Sequence, residues 1–265
     1  MSHSITSRMR LHGLAIALLL LLGCGCRTQA AFPSIADADT KSGTVVANST
    51  SWTITYPTNV AAGDLLLLFI GSDGDPGFSA SGFTIIAASE LSASSVWLLG
   101  KVAAGSETGT FTATAGAGEQ GGWRIFRIPA SSWFGGSLPS GVGIDSDGVA
   151  TRGSSGISNV PDPSANDPST WGTEDTLWIA AIGVDTSRTI SVFPLADRNT
   201  ADVSGGSTGA TLGLCTTTSA VASLDPGTFT ISASDDWAAL TVGIRPAAGA
   251  APPALRKLLL QGVGF

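Results

Sequence analysis

The chain has 265 residues, 43% of them hydrophobic and only 12% charged, with 34 glycines and a formal net charge of −7. An acidic chain without a basic stripe excludes nucleic acid as a partner, because phosphate binding needs clustered Lys and Arg. There is enough apolar content to bury a core, and the glycine content points to a turn-rich, β-leaning fold.

Residues 1–10 are polar and carry Arg8 and Arg10, and Leu14–Leu22 is an apolar run too short to span a bilayer. A charged start, a short apolar stretch and a small residue before a cut are the marks of a secretory signal helix. The ending Leu21-Leu22-Gly23-Cys24 resembles a bacterial lipobox, which would make Cys24 a lipidated N-terminus. Cleavage after Thr28-Gln29-Ala30 is the alternative, and it would discard both Cys24 and Cys26.

Downstream of the leader, Thr44–Ala47 and Trp52–Tyr56 read as short strands between Asn/Ser turns. Leu65 to Gly71 is unbroken and apolar, as expected of a strand covered on both faces. The Gly71–Gly77 stretch, GSDGDPG, is a turn. Phe83–Ala87 and Ser95–Val102 follow as strands, and then the unit GTFT beginning at Gly109. Residues 135–170 are loop-like, rich in Gly, Ser, Asp and Pro, with one strand expected near Val142–Val149. After Ala247 a Pro/Ala linker leads into Leu255–Phe265, LRKLLLQGVGF, a short tail whose leucines could dock on a partner or a membrane surface.

The pattern occurs twice. Asp64–Asp73, DLLLLFIGSD, is echoed by Asp175–Asp185, DTLWIAAIGVD. Gly109–Ala130 is echoed by Gly227–Ala247: GTFT, an acidic turn, a strand opening on Trp, then Pro-Ala. The two echoes are out of step by a few residues, which indicates a duplicated motif with loop insertions and not a short-period solenoid. Proline stops each final strand because it lacks the N–H a ladder needs. No apolar period of 3.6 is sustained, so the expected fold is all-β. It is a two-layer antiparallel β-sandwich, jelly-roll or Greek-key-like, with the pseudo-repeats at about residues 40–130 and 141–247. Each half is too small to cover its own sheet, so residues 31–247 are expected to form one domain, with interleaved halves packed around shared tryptophans.

The chemistry legible in the chain is mostly negative. His3 and His12 both lie in the leader, leaving no imidazole in the body for triads, zinc or acid–base work. Cys215 reads as a buried inert thiol. Asp73 with Asp75, and Asp145 with Asp147, could bind calcium through oxygen ligands; no other cofactor is expected. The Asp145 run opens like an EF-hand loop but has Ala150 at the sixth position and Gly156 at the twelfth. Adjacent Asp235 and Asp236 form a third acidic pair, and two carboxylates across a cleft would be the minimum for a glycosidase. Trp133 and Trp171 fall in Gly/Ser/Pro surroundings, where an exposed indole could stack on a glycan; a Trp folded down onto the sandwich end is the alternative.

The Gly63–Leu66 and Asp175–Ala180 strands and the Pro226–Pro246 closing unit together resemble a β-sandwich family encoded mostly in tailed-phage genomes, marine ones especially. The resemblance spans about residues 40–247 and rests on structural residues. It implies a non-enzymatic virion component (tail, fibre or decoration) whose partners are other virion or cell-surface proteins, with a homo-oligomer as one form. The lipobox-like leader departs from that setting. It points instead to an exported outer-membrane lipoprotein, touching the membrane through its lipid anchor and displaying a glycan-binding sandwich.

Overall fold

The computed structural model describes residues 31–35, 40–138, 148–205 and 209–248. Cys24, Asp145, Asp147 and the tail lie outside the described residues. Residues 31–248 group as one compact unit. In chain order its strands are β1 Thr40–Thr55, β2 Leu65–Asp73, β3 Phe78–Ala80, β4 Thr84–Leu91, β5 Ser94–Val102, β6 Thr110–Ile128 and β7 Val149–Ser158. They continue as β8 Glu174–Val184, β9 Ile190–Val192, β10 Arg198–Val203, β11 Thr211–Val221, β12 Thr230–Ile231 and β13 Asp235–Ile244.

The two halves do not interleave. Each builds one antiparallel sheet, and the two sheets stack. The first runs β1-β6-β2-β5-β4, with β3 pairing β6 off that path, and the second runs β7-β13-β8-β11-β10 when read from the matching edge. In both, the spatial order is first, last, second, fifth and fourth strand of the half, so the duplication extends to topology. The echoed apolar runs, β2 and β8, are the central strands, each flanked on both sides.

Alternation along these strands sends side chains to two different interiors. Leu65, Leu67 and Phe69 of β2 meet Leu177, Ile179 and Ala181 of β8 in the core between the sheets, joined by Phe126, Leu214, Leu240 and Val242. The opposite faces are also covered. Over the first sheet, β3 and the adjoining parts of β1 and β6 fold back, so Trp52 and Phe78 (centroids 5.0 Å apart) cover Leu66, Leu68 and Trp97. Over the second, the small β9–β12 pair brings Phe229 and Ile231 onto Trp178, Ile182 and Cys215. Tryptophans therefore populate mainly the outer clusters, not a shared centre.

The echoed Trp has the same local solution in both sheets. Trp123 is cross-strand partner to Gly43 on edge strand β1, and Trp237 to Gly156 on edge strand β7. A Cβ at Gly43 would come within 2.7 Å of the Trp123 ring, and one at Gly156 within 2.9 Å of the Trp237 ring. Each indole lies flat on its neighbour because that neighbour has no side chain.

Glycine also sets the spacing between the sheets. Gly71 and Gly183 occupy matching places in β2 and β8 and point into the interface. A Cβ on Gly71 would stand 3.1 Å from Leu212 Cβ, and one on Gly183 would overlap the Ser95 carbonyl oxygen. Along one side, Arg124 of β6 reaches Asp202 of β10 with two hydrogen bonds (2.9 and 2.8 Å). Along the other, Ser89 of β4 donates to the Ser154 carbonyl of β7 at 2.6 Å.

Three expectations change. Thr44–Ala47 and Trp52–Tyr56 belong to one bent strand, β1, whose register slips between Val45 and Ser51. GTFT and the Trp strand are continuous in the first half, as β6, but separate in the second, as β12 and β13. The strand expected near Val142–Val149 lies further on: β7 runs Val149–Ser158 and pairs with β13 along its whole length, while residues 139–147 lie outside the described residues.

Gly183→Ala is expected to lower the unfolding free energy by ~1–3 kcal/mol, the usual cost of overpacking. Gly205→Ala, where an added Cβ meets nothing within 4 Å, is the control and should be near neutral in the same denaturant titration.

Candidate functional site

The repeat places a carboxylate two residues after each of these glycines. In Gly71-Ser72-Asp73 and Gly183-Val184-Asp185 the spacing keeps Asp on the face of its glycine, turned toward the other sheet. Where the glycines let the sheets touch, Asp73 and Asp185 come near enough for each other's charge to matter. Asp236, in step with core residues Ala238 and Leu240, lies on the same inner face; its carbonyl accepts the Asp185 amide at 3.0 Å.

Around this pair the first sheet adds more acid. Asp73 accepts the Gln120 amide at 2.6 Å and shares a hydrogen bond with Glu119, while Asp75, in the following turn, shares one with Glu90. Burial, reinforced by the Asp73 charge and that shared bond, pushes the Glu119 carboxyl up to about 7. Burial also raises Asp73, against the pull of the Gln120 amide. Asp185 is pushed up to about 6, by burial first and then by the charges of Asp235, Asp236 and Asp73. Arg188 opposes this, but it is already bonded to Asp235 at 2.7 Å, where Thr186 also donates. Ser94 is cross-strand partner to Asp73, so it shares that face; it is fully buried and its hydroxyl has no partner.

The opposite end of the sandwich has the reverse electrostatics. Asp64 accepts the amides of Ala61 (2.8 Å) and Ala130 (2.9 Å) and an ion pair from Arg127 (2.6 Å). Burial would raise its carboxyl, but these partners outweigh it and hold Asp64 low. Arg245 makes two bonds to Glu174 at the same end, at 2.9 and 2.6 Å. Nearby, Arg198 donates to the Ile35 carbonyl at 2.7 Å, strapping residues 32–35 over a groove of about 300 Å³ lined by Phe32, Ile35, Leu177, Asp197, Arg198 and Thr218.

Against this geometry the expected sites fare differently. Asp73 and Asp75 each share a hydrogen bond with a different glutamate, Glu119 and Glu90. Among the described residues no three potential ligands converge on a point that could hold a metal ion. Trp133 and Trp171, considered as exposed glycan platforms, are only 2% and 6% exposed. Trp133 donates to the Gly63 carbonyl at 3.1 Å and joins the inter-sheet core, and Trp171 lies over Gly243 beside Trp178. Neither offers a ring face to a sugar; both close down on the sandwich. Cys215 is buried, and burial pushes its thiol up to about 12, away from nucleophilic use. Glu119 and Arg198 were missed from sequence. The echoed Gly-x-Asp was the available signal for the acidic end, and it becomes meaningful only once β2 and β8 are known to face each other.

In comparisons with protein-family models, curated proteins and solved structures, none matches this chain.

Carboxyls raised by folding bind protons that the unfolded chain has already lost, so stability falls as pH rises between the two values. For Glu119 that window runs from its ordinary 4.5 to about 7, and for Asp185 from 3.8 to about 6. Glu107 works oppositely: the Ala104 amide and Lys101 overcome burial and lower it to about 2, so its contribution is lost below pH 4.5. The denaturation midpoint is expected to be highest near pH 5 and to decline toward pH 8. Glu119→Gln, which keeps a donor toward Asp73 at every pH, should be the more stable protein at pH 8 and flatten that decline.

Proposed function

We propose that this chain is a non-enzymatic structural or adhesion module, a β-sandwich that serves as a rigid spacer or display unit at a surface. The observation that carries the reading is the destination of its aromatic side chains. All seven tryptophans are buried, closing the cores between and outside the two sheets. A chain that spends every indole on its own rigidity is built to hold shape.

The chemistry of the described residues supports the same reading. They include no histidine, and their cysteine is an inert buried thiol. The Asp73–Glu119 and Asp75–Glu90 pairs are in hydrogen-bond contact, closer than the ~5–10 Å that either glycosidase mechanism requires. The setting we favour is a phage particle (tail, fibre or decoration), on the strength of the repeated strand pattern and the family it resembles.

A second setting is favoured by a specific feature, the Leu21-Leu22-Gly23-Cys24 ending of the leader. There the same sandwich would be an outer-membrane lipoprotein. Residues 32–35 are strapped by Arg198 at the end opposite the acidic carboxyls. A lipid on Cys24 would hold the sandwich at the membrane.

Fractionation separates the two settings. Recovery of the full-length protein in purified particles is expected for the virion component. Recovery in the membrane fraction, labelling by palmitate and loss of both on Cys24→Ser would establish the lipoprotein. An entirely soluble protein, absent from particles and unlabelled, would count against both.

A further inference from the structure

The aromatic flap over the first sheet has an outer surface that the sandwich itself does not use. There β1, β6 and β3 pair as a small three-stranded sheet. Thr53 stands opposite Thr112, Thr55 opposite Thr110, and Ser51 and Ser79 on either side of Thr114. All seven side chains are exposed, while Trp52, Ile54, Phe78, Ala113 and Ala115, in alternation with them, are buried. One face therefore carries five threonines and two serines in cross-strand register, with no charge among them. We infer that this hydroxyl face is an ice-binding surface, its ligand the ordered water of an ice crystal.

Three observations lead to this. First, the spacing is regular in two directions. Neighbouring strands stand about 4.8 Å apart, and every second residue along a strand recurs at about 6.6 Å. Both distances lie near the repeats of the prism face of hexagonal ice, so hydroxyls arranged this way continue a row of lattice water. Threonine also sets a methyl beside each hydroxyl, which fills the hollows between those waters.

Second, the face is preorganised. Threonine is stiff at χ1, and the strands that carry it are held from beneath. Trp52 and Phe78 pack edge to face at 5.0 Å, above Leu66 and Leu68, and the Trp52 indole donates to the Ser49 carbonyl at 2.9 Å. Little remains to be ordered when the ligand arrives.

Third, the face is neutral in an acidic molecule. The chain has 20 Asp and Glu, whose hydration shells do not fit an ice lattice, and none of them falls in the array. Strand preference by itself places threonine at solvent-facing positions. The second half supplies the comparison, because its flap carries the same GTFT. That flap exposes Val192, and its Ser191 hydroxyl donates to the Thr230 carbonyl at 3.3 Å. The duplicated motif is extended into an array in one half only. An ice-binding face goes beyond the spacer or display role and holds in either setting proposed for it.

Ice grown slowly through a solution of the full-length protein, with protein then measured in ice and liquid, tests this. Grain growth in an annealed frozen film is the second readout. The protein is expected in the ice at severalfold the level of an ordinary acidic protein, and it should keep the grains small. Thr112→Lys, at the centre of the array, should abolish both effects, and so should Thr53→Lys on the neighbouring strand. Thr228→Lys, exposed on the other flap, should alter neither. Circular dichroism establishes that each variant is folded, and either array variant suffices if the other is not. Exclusion of the wild type from ice, unchecked grain growth, full activity in a folded array variant, or equal loss in Thr228→Lys would overturn the inference.

Discussion

Where Gly71 and Gly183 stand, two β-sheets approach until backbone touches side chain and backbone touches backbone, and most of the architecture follows from that contact. A side chain at either position would lift the sheets apart and open the core that Leu65, Leu67 and Phe69 share with Leu177, Ile179 and Ala181. Because the glycines sit at matching places in a duplicated pattern, the interface is self-complementary in the manner of a symmetric dimer, with each half offering the other the same surface. The halves depend on each other for one face only. The other face is closed locally, by aromatic flaps that each half folds from its own chain.

Much of this is legible in the residues alone. The unbroken apolar runs at Leu65 and Thr176 announce doubly covered strands, and Pro129 and Pro246 mark where the last strand of each half stops. Strand β7 beyond Val149 was not legible, for a physical reason. It is an edge strand reading Val-Ala-Thr-Arg-Gly-Ser-Ser-Gly-Ile-Ser, and its place is set by pairing with β13, which no local pattern encodes. The bend in β1 was missed for a related cause: Asn48-Ser49-Thr50 has turn composition, yet the chain passes through it as a register slip.

The tryptophans show where composition misleads. Gly and Ser around Trp133 and Trp171 suggest loops, and both do lie outside the main strands. Whether an indole in a loop turns outward depends on what waits beneath it: for Trp133 the Gly63 carbonyl, for Trp171 the bare backbone of Gly243. Both partners are far away in sequence. The acidic end has the same character, since Asp73 and Asp185 become one cluster only through the stacking of sheets that belong to different halves.

The described chain enters its first sheet from the strapped residues 32–35 and leaves after Ile244, and both points lie at the end held by Arg198 and the Arg245–Glu174 pair. The sandwich is thus a one-handled object. A fluorophore or bead attached at Phe32 or at Ala247 would crowd a single pole. The turns at Gly74–Gly77 and Ser232–Ser234 face the other way and are the natural places to graft a foreign peptide.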